Sequence, residues 1–186
     1  MRTSSVLGLV LITSMLVAPL GGCSTAPKVG NRAEFLDRAS SSRSWFERSV
    51  YGLRDQIQDS AGYVIFPNVT QYGILFGGGT MGRGALYRPD GSQVGWAAIN
   101  TGSIGLQAGV QGFRMIMVLE DEAVVRKFMA NQLGGQVSGV VVFGAGGSAK
   151  APFRRGVACY QGANKGLMAG MNIGLDYIRY KPLDSG

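Results

Sequence analysis

The stretch from Ala61 to Leu86, AGYVIFPNVTQYGILFGGGTMGRGAL, constrains this chain more than any other. Two apolar runs, Tyr63 to Phe66 and Tyr72 to Phe76, are separated by Pro67 and Asn68 and followed by the glycine-rich run Gly77 to Gly84. Short apolar runs rich in β-branched and aromatic residues, punctuated by Pro, Asn and Gly, predict strands joined by turns. The same glycines hold a formal GxGxxG, formed by Gly77, Gly79 and Gly82, so a phosphate cradle is the competing reading. A dinucleotide loop must open a helix whose first amides meet the pyrophosphate. Here Gly84 follows almost at once and Pro89 closes the segment, which favours strand over cradle.

The N-terminus reads as a targeting segment, to be set aside before the fold is considered. Arg2 begins it, Val6 to Ala18 form a short apolar region, and Leu20, Gly21, Gly22, Cys23 end it. That quartet resembles the bacterial lipobox, in which the signal is cut just before a cysteine that becomes acylated. Ser24 stands where an inner-membrane retention signal would place Asp. The expected organisation is a signal peptide over 1–22, a lipidated tether over 23–30 and a single domain over 31–186. The expected location is the periplasmic face of the bacterial outer membrane, with the acyl anchor on Cys23. Cys159 is then left without an internal disulfide partner and is expected to be a small buried strand residue.

Asn31 with Glu34, and Ser44 with Glu47, have capping-box spacing around the serine run Ser40 to Ser42. They predict a short helix near 31–40 and a longer amphipathic one near 45–59. In the second, Phe46, Val50, Leu53 and Ile57 make one apolar stripe. The stripe suits either docking on a sheet or lying on a membrane with Trp45 at the interface. Six basic against five acidic residues between Ser24 and Ser60 favour docking. Pro89, Asp90 and Gly91 predict a hairpin joining Arg83–Tyr87 to Gln93–Asn100. Phe113 to Leu119 reads as another strand, and the acids Glu120, Asp121 and Glu122 open an internal helix near 121–132. The expected class is α+β, with a mainly antiparallel, glycine-rich sheet that is strongly curved or barrel-like.

The composition excludes much chemistry. The chain has no histidine, and a Ser or Cys nucleophile would lack its usual base. No pair of carboxylates stands out, so neither catalysis nor a cofactor nor a metal is expected. From Ala61 onward there are eleven basic and six acidic residues, the densest basic group being Lys150, Arg154 and Arg155 around Phe153. A basic loop with an aromatic residue at its tip suits a lipid headgroup layer as well as it suits solvent. Nucleic acid is not expected as the partner of an exported, acylated protein.

Between about Leu53 and Ile178 the chain resembles the SYLF domain family. The residues that carry the likeness are Ser60 to Pro67, Gly77 to Gly84 (including Gly77, Gly79, Gly82 and Gly84), Gly95 with Trp96, Gly105, Gln107 and Gly109, and Lys165 to Gly170 with Gly166. The resemblance implies a lipid-binding module and not an enzyme, with headgroup recognition by basic residues. It adds Lys165 to Lys150, Phe153, Arg154 and Arg155 as candidate headgroup contacts, while the motif glycines, Trp96 and Gln107 are implied to be structural. The chain departs from the family pattern at Arg114, where an acid is frequent. The expected partners are membrane lipids, anionic headgroups among them. An envelope protein partner is the alternative, with the acyl chains alone providing attachment.

Overall fold

The computed structural model describes residues 25–74, 77–103, 109–138, 140–142, 149–163, 172–174 and 177–183. Cys23, Gln107, Lys165, Gly166 and Gly170 lie outside them.

The strand material is longer and more continuous than the turn signals suggest. β1 (Gly62–Ile74) runs through Pro67 and Asn68 without turning. It sits between β2 (Gly77–Tyr87) and β4 (Gly109–Leu119), antiparallel to both. Pairing slips between Ile65 and Asn68 on one side and between Phe66 and Val69 on the other, so Pro67 forms a β-bulge. A proline has no N–H for the ladder, and a bulge is where a central strand can hold one. β3 (Gln93–Ser103) completes the expected hairpin with β2, turning at Pro89 to Gly91.

The further strands are β5 (Gln136–Ser138), β6 (Val140–Val142), β7 (Val157–Ala163), β8 (Asn172–Gly174) and β9 (Ile178–Pro182). Seven strands form one sheet in the order β6-β7-β4-β1-β2-β3-β9, and β5 and β8 form a separate pair. Every pair in the large sheet is antiparallel except β6 with β7. The class is therefore α+β with a mainly antiparallel sheet. Among the described residues the sheet does not close, which corrects the barrel-like expectation. β6 and β9 are its edges. The physical reason is that both faces are apolar and both are covered by helices, and closure would place one of those faces inside, out of a helix's reach.

A short 3-10 turn (Val29–Asn31) leads into α1 (Arg32–Ser49), and α2 (Leu53–Gln58) follows. The helix boundaries near 40 and 45 are thus corrected: the serine run lies inside α1. Ser42 takes its place on a buried stripe of Phe35, Ala39, Ser42, Phe46 and Ser49. Steps of four and three keep these on one face, and the small ones let the helix approach the sheet closely. Asn31 makes no side-chain cap, and the true break comes at Val50 to Gly52, where Gly52 takes φ 73°. That left-handed value favours glycine. On the opposite face lies α3 (Glu122–Met129), capped by Asp121, whose carboxylate accepts the Val124 N–H at 2.8 Å. This internal helix stands where the acids predict it.

Two cores result. Phe46, Leu53 and Ile57 pack with Tyr63, Ile65, Trp96 and Tyr160 between the sheet and α1–α2. Val64, Phe66, Val69, Met115, Met117 and Phe128 pack between the sheet and α3. The apolar stripe that could have lain on a membrane is spent on the first core, since Phe46, Leu53 and Ile57 are fully buried. Several of the glycines in strands are slots for aromatic rings. A Cβ at Gly84 would meet Phe66 Cδ1 at 2.7 Å, and one at Gly79 would meet the Tyr72 hydroxyl at 2.7 Å.

Candidate functional site

The basic loop is a pinned turn. Arg154 and Val157 exchange backbone hydrogen bonds of 2.9 and 3.0 Å across Arg155 and Gly156. Those two residues have φ of 54° and 77°, the positive values that a two-residue hairpin turn of the primed kind requires. Arg154 and Arg155 are exposed, and the Arg155 guanidinium lies over Gly135. Phe153 is half-buried against the α1–α2 core, so the ring expected at the tip is instead a buttress beneath it.

The root of the turn is held by a buried polar triangle. The Ala151 N–H donates to the Tyr160 hydroxyl at 2.8 Å, and Gln56 Nε2 donates to the Ala151 carbonyl at 3.0 Å. Tyr160 in turn donates to Gln56 Oε1. Buried polar groups are costly unless partnered, so this triangle fixes residue 151 to both α2 and β7. Lys150 then lies along the helix break, its stem 3.2 Å from where a Cβ at Gly52 would stand.

That contact brings the loop to a feature the sequence reading passed over. Tyr51, at the α1–α2 corner, is 88% exposed. Arg48 and Arg54 are exposed on the two helices beside it, Arg54 sharing Glu47 with Arg43. The signal was available: Tyr51 is the aromatic next to Gly52 that falls off the buried stripe. The corner thus presents an aromatic ring with a polar tip among cations.

The motif glycines do not form a phosphate cradle. Gly77, Gly79, Gly82 and Gly84 all lie in β2, with Gly79 and Gly82 paired to both β1 and β3, and Gly109 begins β4. Trp96 is buried, with Phe35 edge-on at 5.6 Å and the Arg32 guanidinium at 5.5 Å from its ring centre. Arg114 lies over Trp45 at 4.8 Å. The position where the family pattern carries an acid is here a cation serving a tryptophan that packs on the sheet. Burial pushes the Cys159 thiol up to about 12, so it stays protonated and unreactive. Among the described residues no group of His, Cys, Asp and Glu is placed to hold a metal ion. No helix among them is long and apolar enough to cross a membrane.

Residues 100–181 match the family model described as Ysc84, Las17-binding protein actin regulator. The match supports a SYLF assignment for that segment, and the SYLF family is one of binding domains and not typically of enzymes. The match takes in Gln107, Gly109 and Lys165 to Gly170, while Ser60 to Pro67, the glycine run and Trp96 precede it. No curated protein and no solved structure matches the chain.

Proposed function

We propose that this is a non-catalytic lipid-binding domain on an exported protein, acylated at Cys23 and facing the periplasm from the bacterial outer membrane. The observation that carries the lipid-binding half is the α1–α2 corner, where exposed Tyr51 stands with Arg48, Arg54 and Lys150. A tyrosine places its ring among headgroup carbons and its hydroxyl in water, and cations beside it meet anionic phosphates. Lys150, Arg154 and Arg155 are the proposed headgroup contacts, with Lys165 added by family likeness, and Phe153 holds the turn in place from beneath. The anchor itself rests on the lipobox, and several acyl chains hold a protein far better than one.

The test is flotation of the acyl-free domain, Ser24 to Gly186, with anionic and zwitterionic vesicles at low salt. Co-flotation with anionic vesicles is expected. Replacing Tyr51, Lys150, Arg154 and Arg155 with Ser should weaken it by about tenfold or more, at roughly 1 kcal/mol per cation near the surface. Absence of association with either vesicle would sink the reading. Separately, Cys23→Ala should abolish palmitate labelling.

A second reading, a protein-interaction lipoprotein held by its acyl chains alone, is favoured by the family's description as Las17-binding. Pull-down of one envelope partner, unaffected by Ser at positions 150, 154 and 155, would support it over the first.

A further inference from the structure

The α1 side of the sheet ends in a cavity of about 650 Å³, within the roughly 300–1,000 Å³ of small-molecule sites. It lies where the segment entering α1 and the first turns of that helix meet the sheet. Pro27 and Lys28 from this entering segment make one wall, and strands β1, β2 and β3 beyond the Pro67 bulge make the floor.

Its lining has a definite chemistry. Lys28, Arg38 and Arg83 face it, and among the described residues no carboxylate does. Arg38 also pairs with Glu34 at 2.8 Å, one turn away on α1, where both side chains are more than half exposed. An exposed pair of this kind is weak and exchangeable. Three cationic side chains and the Glu34 carboxylate stand at the mouth, and a phosphomonoester carries about −1.5 to −2 near neutral pH. Asn68, Thr70 and Asn100 supply neutral hydrogen-bonding groups. Phe35, Ala98 and Met81 supply an apolar side, and Met81 is 49% exposed on a sheet face. An unbranched thioether left open beside three cations is an adaptable surface for a hydrocarbon chain.

We propose that this cavity binds a phosphate-bearing amphiphile. The phosphate is held by Lys28, Arg38 and Arg83, and the apolar part lies on Phe35, Met81 and Ala98. The membrane as its source rests on the lipid-anchor reading above, whereas the chemistry of the site does not. Ala26 is already buried in the domain, and the three peptide steps back to Cys23 span at most about 11 Å. An anchor there would keep the cavity beside the headgroup layer.

The test titrates the full-length protein in non-ionic detergent with dihexanoyl phosphatidic acid, inorganic phosphate and dihexanoyl phosphatidylcholine, by calorimetry. Saturable one-to-one binding of the phosphatidic acid is expected, at least tenfold tighter than either comparison. Lys28→Gln with Arg83→Gln should weaken it at least tenfold. Ser at positions 150, 154 and 155 should leave it unchanged even where vesicle flotation is lost, so this proposal and the proposed membrane contact fail separately. Lys28 and Arg83 are exposed, and a melting temperature within about 2 °C of the parent verifies the fold. Should the double variant melt lower than that, Arg38→Gln alone takes its place. Undiminished binding in the cavity variants, equal binding of phosphatidylcholine, or no binding of any probe would overturn the proposal. Inorganic phosphate binding as tightly as the phosphatidic acid would assign the site to the free anion and overturn the amphiphile.

Discussion

On the α1 side of the sheet, the part before the Pro67 bulge and the part after it share their strands and differ in almost everything else. Before it, Tyr63, Ile65, Ala85 and Trp96 are buried under the helices. After it, Asn68, Thr70, Arg83 and Asn100 line an open cavity. In β2 and β3 the change is one of composition along an unbroken alternation, Ala85 to Arg83 and Trp96 to Asn100. In β1 it is a change of phase. Odd residues Tyr63 and Ile65 face α1 before the bulge, whereas Val69 after it joins Val64 and Phe66 in the opposite core. One extra residue therefore moves the polar Asn68 and Thr70 to the helix side and keeps Val69 dry.

The strongest way to break this comparison is to delete Pro67. Every residue from Asn68 to Ile74 would exchange faces. Exposing Val69 costs about 1.5–3 kcal/mol, and burying Asn68 and Thr70 unpartnered about 1–3 kcal/mol each. Against a typical total stability of about 5–15 kcal/mol, loss of a cooperative thermal transition is expected. An unchanged melt and near-UV circular dichroism spectrum would show that the bulge does not set the phase. Next in size is Phe46→Ala, in the middle of the dry part, at about 3–5 kcal/mol by urea unfolding. Phe35→Ala, at the cavity's edge, should cost about half as much, because its surroundings are already partly open. Equal costs would mean that the boundary is drawn in the wrong place.

How much of this was legible in the sequence follows from the same residues. The strand content, the Pro89–Gly91 hairpin, the internal helix behind Asp121 and the strand nature of the glycine run could all be read, because each is a local signal. Pro67 was misread as a turn because Pro-Asn is equally a turn and a bulge until partners on both sides are known. Ser40 to Ser42 were misread as a break because serine's weak helix propensity was weighed without the stripe Phe35, Ala39, Ser42, Phe46, which passes through them. The basic turn could be found by charge, but not the burial of Phe153, which depends on Gln56 and Tyr160 far away in the chain. The cavity was not legible at all. Lys28, Arg38 and Arg83 come from three segments that only the β1–β2–β3 pairing and the path into α1 bring together.

A smaller effect tests whether the basic turn belongs to the dry part. Tyr160→Phe removes the group that accepts from Ala151 and donates to Gln56, leaving both without that partner in a buried place. The expected loss is about 1–3 kcal/mol, with faster proteolytic cleavage near Arg154 and Arg155. Adding Gln56→Leu should cost less than the sum of the two single changes, since the triangle acts as a unit. Strict additivity would show that the two side chains do not share it.

The smallest change is asked of pH, and it probes how dry the buried layers are. Tyr87, stacked on Tyr63 at 5.3 Å, has its phenol pushed by burial from an ordinary 10 to about 12. Cys159, in the opposite core, has its thiol pushed by burial from 9 to about 12. Both groups are neutral when protonated, and both pKa values are higher in the folded state than in the unfolded one. Their contribution to stability is therefore fully present below about pH 9 and is lost as pH rises towards 12. Unfolding midpoints measured in urea at steps from pH 8 to 11 should be flat at first and then fall. Tyr87→Phe should make the fall shallower, because one of the upward-shifted groups no longer titrates; burial raises Tyr63, Tyr160 and Tyr180 as well. The Cys159 thiol should meanwhile resist alkylation at pH 8 until the chain is unfolded. Rapid alkylation of the native protein at that pH would mean that water reaches the core between the sheet and α3, and that the polar cavity on the other face is not the sheet's only wet region.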